Sequence, residues 1–371
     1  MFAGRFNKRS VFITGHTGFK GSWLCSWLLS LGAQVTGYAR NPEPHERLYG
    51  QLNLRDQIDC DIRADICDAV TLRRAVLDCQ PDFIFHLAAQ PLVRKSFEIP
   101  IETFQTNVMG TANLLDAVRH LSSPCTVIVV TTDKCYENRE WVHSYREEDA
   151  MGGYDPYSAS KGCAELVTQA YRRSYFPAES SVVSVASARA GNVIGGGDWA
   201  EDRIVPDIFR ALQAGETIPV RNKVATRPWQ HVLEPLSGYL WLAACLDDPS
   251  LSPFPACQLR SSFNFGPHLN SNRTVADLVD AMLQHTAGTW EDHSDPNAPH
   301  EATKLNLAID KAHHILHWKP NWGFEETIRE TVQWYLDEHN GDNVVDVTNN
   351  QIALYQANAL QKHLAWSSSP S

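Results

Sequence analysis

Long apolar runs, surplus positive charge and paired cysteines are all missing from this chain of 371 residues. The longest apolar runs are of strand length, and no apolar N-terminal segment resembles a signal peptide, so a cytoplasmic location is expected. A formal net charge of −11 leaves no basic surface for a nucleic-acid backbone. Any anionic ligand must be met by a local basic pocket. The nine cysteines include no C-x-x-C pair, which excludes a zinc ribbon and a disulfide framework; reduced, mostly buried thiols are expected. There is no H-E-x-x-H either. His313 and His317 stand four apart, but no glutamate lies between them and His285, His293, His300 and His314 offer no obvious third ligand, so no metal is expected. No internal repeat appears. What is left is an ordinary globular composition, 43% hydrophobic and 20% charged, long enough for one large α/β domain or two unequal ones.

The chain is organised around Ser10-Val11-Phe12-Ile13-Thr14-Gly15-His16-Thr17-Gly18-Phe19-Lys20-Gly21. It reads as strand, turn and helix. Gly15 allows the tight turn, Gly18 lets a phosphate approach backbone N–H groups, and Gly21 lets helix and strand pack closely. A dinucleotide pyrophosphate at the positive end of that helix is the ligand this predicts. The spacing G-x-x-G-x-x-G is that of short-chain reductases. A second strand, Gln34–Tyr38, ends where such folds choose their cofactor. An acid there would bind the ribose 2′-hydroxyl, but this chain has Ala39-Arg40. Arg40 suits a 2′-phosphate, an adenine stack or plain solvent, so NAD and NADP stay open at this position.

Further strands are expected at 57–62, 82–87, 126–130 and 182–188, alternating with helices at 69–79, 101–120 and 157–176. That alternation predicts a doubly wound parallel, Rossmann-type α/β sheet. Asp61 is placed to receive an adenine amino group. Leu87-Ala88-Ala89-Gln90 ends the fourth strand with small residues that leave room for a ligand. The fifth ends in Thr131-Thr132-Asp133-Lys134-Cys135-Tyr136, hydroxyl, carboxylate and amine in succession. A polar loop would carry the same residues. Tyr157-Ser158-Ala159-Ser160-Lys161 then sets a phenol and an ammonium on one helix face, where the cation lowers the phenol's pKa and makes a general base.

The first domain is placed at 1–190. Arg189–Trp199, with Gly195-Gly196-Gly197, reads as a ligand-covering loop. Arg203 and Arg227-Pro228-Trp229-Gln230-His231 add cations suited to a pyrophosphate. Helices at 205–214, 232–247, 275–284, 309–316 and 324–338, with short extended pieces at 262–264 and 304–307, predict a smaller mixed α/β C-terminal substrate domain, 191–338, with some crossing back to the first. Residues 339–371 read as a polar, peripheral or partly disordered tail.

Assembled, these residues resemble the extended short-chain dehydrogenase/reductases that act on nucleotide sugars, and among them the CDP-glucose 4,6-dehydratases. The resemblance runs from about residue 7 to 338 and rests on Gly15–Gly21, His86–Arg94, Thr132–Tyr136, Tyr157 with Lys161, Gly191–Trp199 and Arg227–His231. Asp133-Lys134 is its most specific part, since related dTDP-glucose dehydratases carry Asp-Glu there. Ala64 departs from it, standing where the family has an acid after Asp61-Ile62-Arg63. The resemblance implies a redox-neutral dehydration of CDP-glucose with NAD, NADP being the minority alternative. It implies catalytic roles for Thr132, Asp133, Lys134, Tyr157 and Lys161. Cofactor contacts would come from Gly15, Thr17, Gly18, Phe19, Lys20, Gly21, Arg40, Asp61, Ile62, Leu87, Ala88, Ala89, Tyr157 and Lys161. Substrate contacts would come from Gln90, Arg94, Tyr136, Asn192, Arg203, Arg227 and His231. It also implies a homodimer, or paired dimers, built on helices 101–120 and 157–176, and a place in making the deoxysugars of bacterial surface polysaccharides such as O-antigen. Another NDP-hexose 4,6-dehydratase or a nucleotide-sugar 4-epimerase are the alternatives within the family. A nucleotide-binding regulatory protein is the alternative outside it, and the Tyr/Lys pair speaks against that.

Overall fold

The computed structural model describes residues 1–178, 180–294 and 304–367; His300 and Ser368–Ser371 lie outside them. The parallel strands are mostly apolar segments buried on both faces, the half-buried Cys60–Arg63 at the sheet edge being the exception. They are β1 (Ser10–Thr14), β2 (Gln34–Ala39), β3 (Cys60–Arg63), β4 (Phe83–His86), β5 (Cys125–Thr131) and β6 (Val183–Arg189). Between them run α1 (Phe19–Ser30), α2 (Arg47–Gln51), α3 (Leu54–Gln57), α4 (Ala69–Cys79), α5 (Val93–Glu98), α6 (Pro100–Phe104), α7 (Gly110–Val118) and α8 (Pro156–Tyr175). The helix expected at 101–120 is interrupted by a π turn, Gln105–Met109.

The second half supplies β7 (Val193–Ile194), β8 (Ile218–Val220), β9 (Thr226–Pro228), β10 (Gln230–His231), β11 (Ser262–Asn264), β12 (Asn272–Thr274) and β13 (Trp290–Asp292). Its helices are α9 (Ile204–Ala214), α10 (Leu233–Asp247), α11 (Ala256–Leu259), α12 (Val275–Met282), α13 (Asp310–Leu316), α14 (Phe324–Asn340) and α15 (Val344–Gln361). The main sheet has seven strands in the order β11-β6-β5-β4-β1-β2-β3, all parallel. Reading 3-2-1-4-5-6 and then one more, it reverses direction between β1 and β4, where such sheets leave a crevice. The extended piece at 262–264 belongs to this sheet, pairing with β6. The two halves therefore share one core: a single apolar cluster runs from Phe2 through Trp241 to Trp366.

The tail expected to be peripheral is instead a helix packed on the first one. Thr348, Ile352, Tyr355 and Ala359 in α15 are buried, a four-three-four spacing that presents one face to α1. Beyond it Trp366 stacks on Phe2 at 5.2 Å and on Tyr355 at 5.5 Å. This cover explains why α1 is buried from Gly21 to Leu28 almost all round. The thiols are free, but fewer are buried than expected: Cys25, Cys125, Cys135 and Cys245 are, while Cys60, Cys67 and Cys257 are exposed. Among the described residues, no helix is long and apolar enough to cross a membrane.

Candidate active site

The floor of the crevice is the turn between β1 and α1. Gly15 takes φ +74°, and a Cβ on it would stand 2.7 Å from the Ala88 nitrogen at the end of β4. On Gly21 a Cβ would overlap the Gly15 carbonyl. Gly18 differs: a Cβ there would meet nothing nearer than 3.5 Å, and α1 starts on it without a side-chain cap. Room for a methyl-sized group beside an uncapped helix N-terminus fits a dinucleotide pyrophosphate held by the first N–H groups of α1. Leu87, Ala88 and Ala89 lie half-buried at the end of β4, Ile62 is half-buried in β3, and Arg40 is exposed past the end of β2. Asp61 is already engaged: His16 Nε2 meets Oδ1 at 2.9 Å, while Tyr49 and Arg63 donate to Oδ2 at 2.8 and 2.7 Å.

A buried polar chain fixes the ends of the strands. Thr111 Oγ1 donates to the Asn107 carbonyl at 2.7 Å, so at 3.0 Å it accepts from Nε2–H of His86. Burial brings His86 down to about 3, so the ring is neutral and Nδ1 accepts from Thr14 Oγ1 at 2.7 Å. Asn107, carried inward by the π turn, donates to the Gln90 carbonyl and to Ser160 Oγ at 3.1 and 2.8 Å and accepts from Gln90 N–H at 2.8 Å. It ties β4 to α8. Nothing in the sequence flags Asn107, because a π turn leaves no periodic mark.

The acid/base residues gather above this chain. Asp155 caps α8 by accepting from Ser158 N–H at 2.8 Å, and Pro156 at the first helical position starts a helix that carries Tyr157, Lys161 and Glu165 at successive turns. Tyr157 is buried and pushed up to about 12: burial dominates, Thr132 eases it, Asp133 adds to it, and Arg203 is the cation that helps. The lowered phenol expected from the Tyr/Lys pair is thus reversed by desolvation. Lys161 is brought down to about 8 by burial, partly offset by Glu165. Burial alone would raise Glu165, but Arg189 at 2.8 Å, with Thr131 and Ser187, holds it at about 2.

Asp133, 1% exposed, accepts from Thr132 Oγ1 at 2.9 Å and from Asn192 Nδ2 at 3.3 Å. A Cβ on Gly191 would overlap its carboxylate. Gly191 is thus a site residue that a glycine-rich loop conceals. Lys134 follows on a 3-10 turn, half-buried. Lys20 reaches in from α1 and is brought down to about 8 by burial and then by Arg203, with Asp133, Lys161 and Asp198 also acting on it. Phe19 is half-buried beside Gly195, and Thr17 is buried in the turn.

Of the expected substrate residues, the structure brings Asn192 and Arg203 to this cluster. Arg203 Nη1 pairs with Asp198 at 2.7 Å. Arg94, more than half exposed, pairs with Asp202 at 3.2 Å. Arg227 is 7% exposed and donates to the Thr226 carbonyl at 3.0 Å. The Gln90 carboxamide is spent on Leu92 and Thr103, so it shapes the loop rather than reaching a ligand. Two expectations fail outright. Tyr136 is 1% exposed, its hydroxyl donating to Asn264 Oδ1 and accepting from Arg189 Nη1, both at 2.7 Å. His231 is fully buried between the rings of Trp23 and Trp322, neutral at about 3 because of that burial. Each adjoins a motif residue yet points into the core.

A family model for GDP-mannose 4,6 dehydratase matches residues 12–331. The CDP-glucose 4,6-dehydratase of Salmonella typhimurium is 45% identical over 357 residues, covering 94% of this chain and 96% of that one. The solved dTDP-glucose 4,6-dehydratase of Bacillus anthracis, in complex with NAD, shares the fold at TM-score 0.73 and 20% identity, covering 91% of this chain and 99% of that one. The UDP-glucuronic acid 4-epimerase of Bacillus cereus, with UDP-glucuronic acid and NAD, does so at 0.73 and 19%, covering 89% and 99%. The chain therefore belongs to the GDP-mannose 4,6 dehydratase family, within the extended short-chain dehydrogenase/reductases.

Proposed function

We propose that this chain converts CDP-D-glucose to CDP-4-keto-6-deoxy-D-glucose and water, with NAD held in the turn from Gly15 to Gly21. The observation that carries the reading is Asp133-Lys134 at the end of β5 beside Tyr157 and Lys161, in a chain so similar to a CDP-glucose dehydratase. NAD held there by the glycine turn and the first N–H groups of α1 would supply a hydride acceptor for sugar C4 and, once reduced, a hydride donor for C6. Tyr157, next to Thr132, would take the proton of the 4-hydroxyl, its raised phenol ionising once the cationic nicotinamide of bound NAD adds to the positive charge of Lys161. The ketone so formed acidifies the C5 proton, which Lys134 removes and gives back to C5 once hydride has reached C6. Asp133 delivers a proton to the departing 6-hydroxyl, and Gly191 with Asn192 keeps its carboxylate in place. Arg203 and Arg227 hold the sugar diphosphate.

The test is product analysis by mass spectrometry with CDP-, dTDP-, UDP- and GDP-hexoses. CDP-glucose should lose one water, and an isomeric hexose of unchanged mass would mark a 4-epimerase instead. Lys134→Met should lower dehydration by about a thousandfold with the fold intact, the scale of a lost general base; full activity would remove Lys134 from the mechanism.

The same reading pairs two copies through α8 and the helices before it, as a homodimer or as a tetramer of paired dimers. Ile101, Met109 and Leu166 are 67%, 54% and 53% exposed on these helices, apolar side chains that pairing would cover. Leu166→Glu should halve the mass seen by sedimentation.

A further inference from the structure

The acid that would bind the adenosine ribose is absent from the end of β2, where Ala39-Arg40 stand. Asp61, one strand over, is held by His16, Tyr49 and Arg63. A third carboxylate comes to the glycine turn from a different direction. Glu46 lies just before α2, half-buried, in the stretch Asn41-Pro42-Glu43-Pro44-His45-Glu46. Its Oε2 accepts from Glu43 N–H at 2.9 Å and from Thr17 Oγ1 at 3.4 Å. Its Oε1 stands 3.5 Å from where a Cβ on Gly18 would be. That oxygen has no hydrogen-bond donor among the described residues.

We infer that Glu46 is the carboxylate that binds the ribose hydroxyls of NAD and repels the 2′-phosphate of NADP. The inference rests on the dinucleotide reading of the crevice. With the pyrophosphate at the start of α1, the ribose of the adenosine half lies between the glycine turn and the end of β2. Glu46 meets that turn through Thr17, leaving one oxygen to spare beside Gly18. A carboxylate accepts strongly from a hydroxyl and repels a phosphate. The neighbouring cation does not cancel it: Arg47 is stacked on Trp199 at 4.4 Å and paired with Glu338 at 3.1 Å. Arg40, exposed at the end of β2, favours a 2′-phosphate, and the Glu46 carboxylate opposes it.

Titration calorimetry with NAD and with NADP, at one ionic strength, separates the possibilities for the wild type, Glu46→Gln, Glu46→Asp and Arg40→Ala. The wild type should bind NAD and prefer it to NADP. Glu46→Gln should bind NAD about tenfold more weakly and close the gap to NADP by about tenfold or more, the scale of one charge-assisted hydrogen bond, while melting at the wild-type temperature. Glu46→Asp should recover part of the preference, and Arg40→Ala should widen the preference for NAD over NADP. Unchanged discrimination in Glu46→Gln overturns the assignment. Tighter NAD binding in that variant also overturns it, since the carboxylate would then be a rival of the pyrophosphate. A wild type that binds neither dinucleotide defeats the underlying reading of the crevice.

Discussion

The two glycine-rich stretches look alike in sequence and do opposite work. In Gly15–Gly21, two glycines let backbone meet backbone, while the third, Gly18, has room for a methyl-sized group. In Gly191–Gly197 no such space exists. A Cβ on Gly196 would overlap the Trp334 ring, and one on Gly197 would stand 2.6 Å from Leu48; the Gly196 carbonyl accepts from Trp23 Nε1 at 2.9 Å. The stretch expected to cover a ligand as a loop is clamped between α1, α2 and α14. Glycine marks close approach in both, and only the neighbour tells whether a ligand or a side chain is approaching.

Substitutions should separate the two uses. The largest effect belongs to Gly191→Ala, which displaces the Asp133 carboxylate: dehydration should fall by about a hundredfold or more, the scale of a misplaced catalytic group, while NAD titration stays at the wild-type value. Next comes a reciprocal pair. Gly196→Ala should cost about 1–3 kcal/mol by overpacking against Trp334 and lower the melting temperature by several degrees, with NAD binding kept. Gly18→Ala should melt like the wild type but weaken NAD binding about tenfold, because its methyl group fills the seat of the pyrophosphate. If both variants lost stability and neither lost NAD affinity, the contrast between the stretches would be wrong.

A separate effect is on stability against pH. His16, His86 and His231 are brought to about 4, 3 and 3, chiefly by burial. The unfolded chain takes up their protons near 6.5, so stability is complete above that value. It falls as pH drops toward 4, by roughly 1.4 kcal/mol per unit for each ring. Glu234, raised to about 7 by burial, works in the opposite direction and offsets about one of the three. Urea midpoints between pH 7 and 5 should therefore decline on acidification, and His231→Phe should flatten the decline.

Much of the fold was legible because buried parallel strands read as unbroken apolar runs and the helices between them keep their period. The turn at Gly15 and the segments bearing Asp133 and Tyr157 were legible for the same reason, each being a polar break at a strand end or a helix start. The rest depends on partners distant in sequence. Ser262–Asn264 is too short to declare itself a sheet strand, and α15 looks polar because half of it faces water. Tyr136 and His231 carried polar tips beside motif residues, yet strand and helix geometry turns them to Asn264 and to two tryptophans. Tyr157 shows the limit for electrostatics: spacing puts an ammonium one turn away, but burial, which spacing does not report, decides the direction of the shift.

The central claim is that oxidation at C4 and loss of water from C5 and C6 occur on one hexose in one crevice. Turnover of CDP-glucose bearing deuterium at C4, read by NMR of the product, tests it most directly. The label should appear at C6 of a 4-keto-6-deoxy sugar, and label retained at C4 of an isomeric hexose would contradict the account.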